Sequence, residues 1–221
     1  MTRAEYIQAV KVKLEEISPF DEPDSFIASS DGSANTVKPI ISYIDKSLDE
    51  AAQDCLKSLP LSLLHKDISY QDGNMIISRR GVGVITDIDS TWRLVRFRHP
   101  ALKRDITAFI TSQDPLYLLQ QNKYTRGGIA KPVAVLSTDG DNDSGGYIEI
   151  YSFPSEYYSS QSQCFLDYID VKNLGAADVE SDIEEYIVLR CAIMVAQILN
   201  DINTAEVLQR EYDRKLQSVL Q

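Results

Sequence analysis

The hydrophobic period changes twice along this chain, and nothing else limits its fold so strongly. Near both ends apolar residues recur every three to four positions, and between them the spacing shortens to two. The longer period buries one stripe of a helix, and the shorter one buries one face of a strand. This order predicts an α+β fold, in which a small, mostly antiparallel β barrel or sandwich packs against N-terminal and C-terminal helices.

The helices carry start and stop signals. Thr2 with Glu5 makes a capping box, and Ile7, Val10, Leu14 and Ile17 follow at helical spacing until Ser18-Pro19. A second helix is expected over 37–58, with Ile41, Ile44, Leu48, Ala51, Ala52, Cys55 and Leu56 on one stripe and Pro60 beyond it. Ser181 with Glu184 predicts the start of a third. Its apolar positions, from Ile183 to Ile198, cover most of its circumference, as expected of a central helix. Asn203 with Glu206 predicts the start of the last, whose narrow stripe is Ala205, Leu208, Tyr212, Leu216 and Val219.

Seven segments read as strands: 74–78, 81–86, 92–98, 106–111, 132–138, 147–153 and 165–171. Each is rich in β-branched or aromatic residues. Alternation over 92–98 sets Val95 and Phe97 on one face and Arg96 and Arg98 on the other. The 221 residues suit one domain, 1–221. Within it, 1–58 is helical with a polar connection at 18–36, 66–171 is the β-rich core, and 181–221 is a helix pair. Phe20, Phe26 and Ile27 are isolated apolar anchors in the 18–36 connection. Residues 139–146 read as a hairpin tip. A calcium loop starting at Asp139 would need Gly and Glu where Ser144 and Ile150 stand.

Charge is unevenly spread. The chain carries a net −11, yet residues 79–131 hold ten basic and four acidic side chains. That stretch is +6, which leaves −17 for the rest. An evenly acidic surface would repel a nucleic-acid backbone. A polarised one can bind nucleic acid at its basic part or mate with a copy of itself.

Residues Met1–Ile17 lack the apolar core of a secretion signal, and the apolar run 192–199 is too short to span a bilayer. A soluble protein made in a cytoplasm is expected, with no membrane partner. Cys55, Cys164 and Cys191 form no C-x-x-C pair and read as buried, reduced side chains.

Chemistry is sparse. His65 and His99 are the only histidines, and Ser62 three positions before His65 does not make a catalytic set. Gly81-Val82-Gly83 lacks the third glycine of a dinucleotide loop, since Thr86 stands there. Gly127-Gly128 reads as a turn. Two histidines and three scattered cysteines do not make a zinc site. The expectation is a chain without catalytic, cofactor-binding or metal residues, and not an enzyme. Trp92, Phe97 and Tyr124 among the bases suggest an alternative, a nucleic-acid-binding module that stacks bases, or an enzymatic module with an unrecognised site. The favoured reading is self-assembly, with Arg93, Arg96, Arg98, Lys103 and Arg104 meeting a neighbouring subunit's carboxylates.

Several runs carry a family resemblance. YIDKSLDEAAQDCLKSLPLSLL (43–64) resembles an "LDEAA…APLxLL" helix. DPLYLLQQNKYTRGGIAKPVAVL (114–136) is similar to a "YxxQxNxYTRGxxxKPV" signature, and YIEIYSFPS (147–155) to the "LELYPxP" strand after it. Residues 182–216 resemble the terminal helix pair of tailed-phage connectors. Together these resemble head-to-tail connector, or ring (adaptor), proteins of podovirus-type phages, particularly the crAss-like phages. The resemblance implies a structural subunit of a homo-oligomeric ring, usually a dodecamer, assembled in the host cytoplasm and located in the virion at the portal vertex. Its implied partners are the portal protein, adjacent tail rings and double-stranded DNA that passes through the channel without sequence-specific binding. It implies no catalytic residue. Leu208, Tyr212, Leu216 and Val219 of the terminal helix are the expected contact with the portal or an adjacent ring.

Overall fold

A computed structural model describes residues 1–17, 40–89, 91–122, 124–128, 130–137, 146–158 and 161–220. The 18–36 connection and nearly all of the 139–146 tip therefore lie outside the described residues. The fold is α+β, with five helices and seven strands among those residues. It divides into two compact units, one made of Met1–Asp67 and Val171–Gln221, the other of Ile68–Asp170.

The first unit is helical: α1 (Arg3–Ile17), α2 (Ile40–Ser58), α4 (Glu184–Ile198) and α5 (Ile202–Leu220). The Thr2–Glu5 capping box forms, with Thr2 N–H donating to Glu5 at 2.6 Å and Glu5 N–H to Thr2 Oγ1 at 3.4 Å. The buried stripe of α1 is Tyr6, Val10 and Leu14. Ile7 is only half-buried, so the apolar phase is set one residue earlier than the aliphatic spacing suggests. α4 is the central helix, buried on most sides from Tyr186 to Ala196. Arg3 reaches from α1 to Asp45 and Asp49 of α2, and Arg190 of α4 pairs with Asp54 of α2 at 2.7 Å.

Two expected caps are corrected. α4 begins at Glu184 with no side-chain cap, and the Ser181 hydroxyl is buried without a partner. Buried Asp67 instead holds the turn before the helix, accepting from the N–H groups of Glu180 at 2.7 Å and Ser181 at 3.3 Å. At α5 the cap is Asp201, not Asn203: its carboxylate accepts from Thr204 N at 3.1 Å and Thr204 Oγ1 at 2.7 Å.

The second unit is a sheet with strand order β3-β7-β1-β2-β6-β5-β4. The strands are β1 (Ser69–Ile77), β2 (Gly83–Ile88), β3 (Trp92–Arg98), β4 (Phe109–Thr111), β5 (Ala134–Ser137), β6 (Gly146–Ile150) and β7 (Gln161–Asp170). All neighbours are antiparallel except β4 and β5. The two edges nearly meet, because Phe97 of β3 exchanges both backbone hydrogen bonds with Ile106, at 2.8 and 2.9 Å. The result is a nearly closed barrel filled by Met75, Ile77, Ile85, Phe97, Ile148, Ile150, Phe153 and Leu166. Closing the edges removes unpaired backbone groups that would otherwise invite other strands.

The Gly-x-Gly pair serves this barrel. Gly81 turns the β1–β2 connection at φ +73°, which disfavours a side chain. A Cβ on Gly83 would stand 2.4 Å from Met75 Sδ and 2.8 Å from the Phe153 ring. These glycines are steric, not a phosphate cradle.

Two features depart from the sequence reading. A short helix, α3 (Pro115–Gln121), lies between β4 and β5, started by Asp114, whose carboxylate accepts from Leu116 N at 2.8 Å. β3 also carries a bulge between Leu94 and Arg96. One extra residue moves the following side chains to the other face. Trp92 and Leu94 before the bulge, and Phe97 after it, all pack on the core.

Candidate functional site

The bulge gathers the strand arginines. Arg96 stands opposite Asp167 of β7. Its Nε donates to Asp167 Oδ2 at 2.7 Å, and Arg98 Nη2 donates to Oδ1 of the same carboxylate at 2.9 Å. The Asp167 side chain is 2% exposed, and the two arginine side chains are 40% and 38% exposed. One buried acid thus fixes two half-exposed cations, a geometry that favours charge-assisted bonds. Asp105 lies 3.7 Å from Arg96 Nη1, and the Arg98 guanidinium lies over the Phe165 ring at 5.5 Å. Hydrogen bonding to Asp167 holds the Arg96 guanidinium above its ordinary value, whereas burial pushes that of Arg93 below. Lys103 and Arg104 sit exposed in the loop that runs from β3 to the Phe97–Ile106 bridge.

The five expected interface cations are therefore not equivalent. Arg96 and Arg98 have a carboxylate in their own chain, so only the outer part of each guanidinium faces outward. Arg93 is half-buried. Lys103 and Arg104 remain open to a second molecule.

The terminal stripe divides too. Leu208 is fully buried and Tyr212 is 8% exposed, its ring edge-on to Tyr186 of α4 at 5.9 Å. Both are buried in the core of the helical unit. Leu216 is half-buried, and Val219, at 38% exposed, is the open end of the stripe.

The base-stacking set does not assemble. Phe97 is inside the barrel, and Trp92 stacks on Tyr168 at 3.9 Å. Only Tyr124, 93% exposed, presents a free ring.

Among the described residues, His99 makes a contact with the look of catalysis. Its Nε2 lies 2.8 Å from Ser162 Oγ, and its Nδ1 accepts from Ala101 N–H at 3.0 Å. Because Nδ1 accepts, the ring proton is on Nε2, and His99 donates to the serine. A base that activates serine needs the opposite tautomer, held by a carboxylate at Nδ1. Phe153 and Tyr157 enclose the ring edge-on, and burial lowers its basicity. The pair is a structural hydrogen bond. His65 and Ser62 are exposed. Among the described residues no three His, Cys, Asp or Glu side chains gather where they could hold a metal ion, and no helix is long and apolar enough to cross a membrane.

Sequence reasoning missed α3, which is inside out. Its one buried side chain is Gln120, which accepts from Gly127 N at 2.8 Å and donates to the Leu116 carbonyl at 3.3 Å. Its leucines point outward: Leu116 is 49% exposed, Leu118 71% and Leu119 44%. Asp114-Pro115 was the available start signal, but seven residues are too few for a period to declare itself. A comparison with known protein families and with curated proteins finds no match.

Proposed function

We propose that this chain is a structural subunit of a head-to-tail connector ring in a podovirus-type tailed-phage virion. It extends the DNA channel from the portal toward the tail. The observation that carries the reading is the basic face of the barrel. Arg96 and Arg98 are braced by Asp167, and the loop that follows β3 carries exposed Lys103 and Arg104, on a chain whose net charge is −11. A ring closes when one surface of a subunit meets a different surface of the next, and opposite charge selects that pairing over like-to-like contact. Lys103 and Arg104 are the cations this reading assigns to a neighbour's carboxylates. Val219 and the exposed side of α5 are left for the portal or an adjacent ring. The acidic remainder of the chain suits a channel through which DNA slides without sticking. The donor role of His99 toward Ser162, the buried Phe97 and the half-buried Trp92 stacked on Tyr168 favour a structural part over an enzyme or a base-stacking module.

The test is co-assembly with the portal protein of the same phage, read by negative-stain imaging and light scattering. Closed rings, alone or stacked on the portal, are expected. A monomer that ignores the portal and binds duplex DNA with steep salt dependence would overturn the proposal.

A further inference from the structure

The barrel nearly closes its two outer edges, yet the sheet parts inside, between β1 and β2. β7 pairs with β1 from Ser69 to Ile76, whereas β2 pairs only with Ile76 and Ile77. Past that point β2 bulges between Ile85 and Ile88 against β6. Backbone groups of an antiparallel strand face its two neighbours in alternation. Ser78 N–H donates to the Val82 carbonyl at 2.9 Å, so the even-numbered residues of β1 face β2. Next along that side are Asn74, Asp72 and Tyr70, and among the described residues no strand pairs with them there. All three are exposed, Tyr70 at 70%.

The parting leaves a slot of about 260 Å³. Ile85, Ile88 and Leu166 of the barrel core line its apolar side, and Gln71 and Asn74 its polar side. Gly73 puts no side chain into it. Glycine inside a strand often marks the close approach of another backbone. β1 and β2 contain no Lys, Arg or His, and the Asp72 carboxylate has no partner among the described residues.

These groups define what fits. N–H and C=O groups repeating at every second residue are matched by another extended backbone. The slot exceeds the roughly 150 Å³ that takes up a benzene-sized group, so one aliphatic side chain of that backbone can enter it. Asp72 selects a cation beside that side chain.

We propose that the split between β1 and β2 is a strand-accepting site, and that its occupant is an extended, basic segment of another protein. The segment pairs with Tyr70, Asp72 and Asn74 and sets one aliphatic side chain on Ile85, Ile88 and Leu166. A second copy is the poorer occupant. Among the described strands only β3 carries bases, and it is already paired in its own sheet. The site stands apart from the ring reading.

Amide NMR of the whole chain tests it, with an end-blocked peptide of alternating lysine and valine added to millimolar concentration. The amides of Tyr70, Asp72 and Asn74 should shift, and their exchange with solvent should slow at least tenfold. A fully N-methylated peptide has the same charge and side chains but no backbone donor, and should leave these amides unmoved. Shifts absent from β1, or equal with the N-methylated peptide, overturn the proposal. The same shifts on concentrating the chain without peptide would make a second copy the strand, and also overturn it. Asp72→Pro removes a donor on the slot side alone, so it should spare the β7 ladder and abolish binding. A folded Asp72→Pro chain that still binds overturns the site. Asp72→Asn keeps every backbone group and should weaken the lysine peptide at least threefold. Unchanged affinity there overturns the choice of a basic occupant.

Discussion

Arg96 and Asp167 face each other across the β3–β7 pair, and the carboxylate that binds Arg96 is shared with Arg98. Asp167 is therefore the keystone of the basic face. Without it, two guanidinium groups would repel each other over a buried polar gap. Asp167→Asn should destabilise the β unit by about 1–3 kcal/mol, below the full cost of breaking a buried pair because both arginines reach water. Asp105→Asn, which loses only the exposed 3.7 Å contact, should cost under about 0.5 kcal/mol. Urea unfolding of the two variants separates these outcomes.

The cations left open should act on association rather than on folding. Lys103→Glu with Arg104→Glu should leave the unfolding midpoint in place and slow assembly at low salt. Exposed charges are screened within about 10 Å at 0.1 M salt, so the defect should fade as ionic strength rises. Light scattering over a salt series reads the defect.

The helix positions and strand alternation made the α+β class and the central place of α4 legible in the sequence. Residues that break local rules were not legible. The β3 bulge reverses which of Val95 and Leu94 reaches the core, and no residue type at 94–96 announces it. Asp67 caps a turn more than a hundred residues away, a pairing that only the fold creates. The arginine face was found as a charge pattern, but its internal acid was not, because Asp167 is distant in sequence from Arg96. α3 was missed for a different reason. A polar residue turned inward and leucines turned outward defeat any reading that assumes apolar residues are buried.

Burial should keep the thiols silent. It raises Cys55 and Cys191 to about 12 and Cys164 to about 11. At pH 8 almost no thiolate exists at any of them, and access is closed as well. The native chain should react with an aromatic disulfide reagent at least a hundredfold more slowly than the chain in guanidinium, where three thiols per molecule should titrate.

His99 should make stability depend on pH. Its folded form resists protonation because it is enclosed, and a proton on Nδ1 would turn the Ala101 N–H bond into a clash of donors. The unfolded chain takes up that proton below about pH 6.5. Since the unfolded state binds more protons, stability is complete above that pH and falls as the pH drops through it. The slope from this site cannot exceed about 1.4 kcal/mol per pH unit. His99→Asn, whose side-chain oxygen can accept from Ala101, should flatten the profile between pH 6.5 and 5. Thermal melts across that range read the difference.

Two sets of leucines, similar in chemistry and opposite in setting, give the sharpest contrast. Leu208 has no exposed surface, so Leu208→Ala leaves a cavity in the helical unit and should cost about 2–5 kcal/mol. Leu118 is 71% exposed and Leu119 44%, so Leu118→Ser with Leu119→Ser should cost about 1 kcal/mol, well below the loss at Leu208. Removing an unsupported apolar patch should also raise the solubility of the free subunit. If the leucines were part of the folded core, the double variant would melt as early as Leu208→Ala. If they serve only association, it melts only slightly early and the loss appears in the assembled fraction. Calorimetry and sedimentation on the same samples distinguish the two, because one reports the fold and the other the contact.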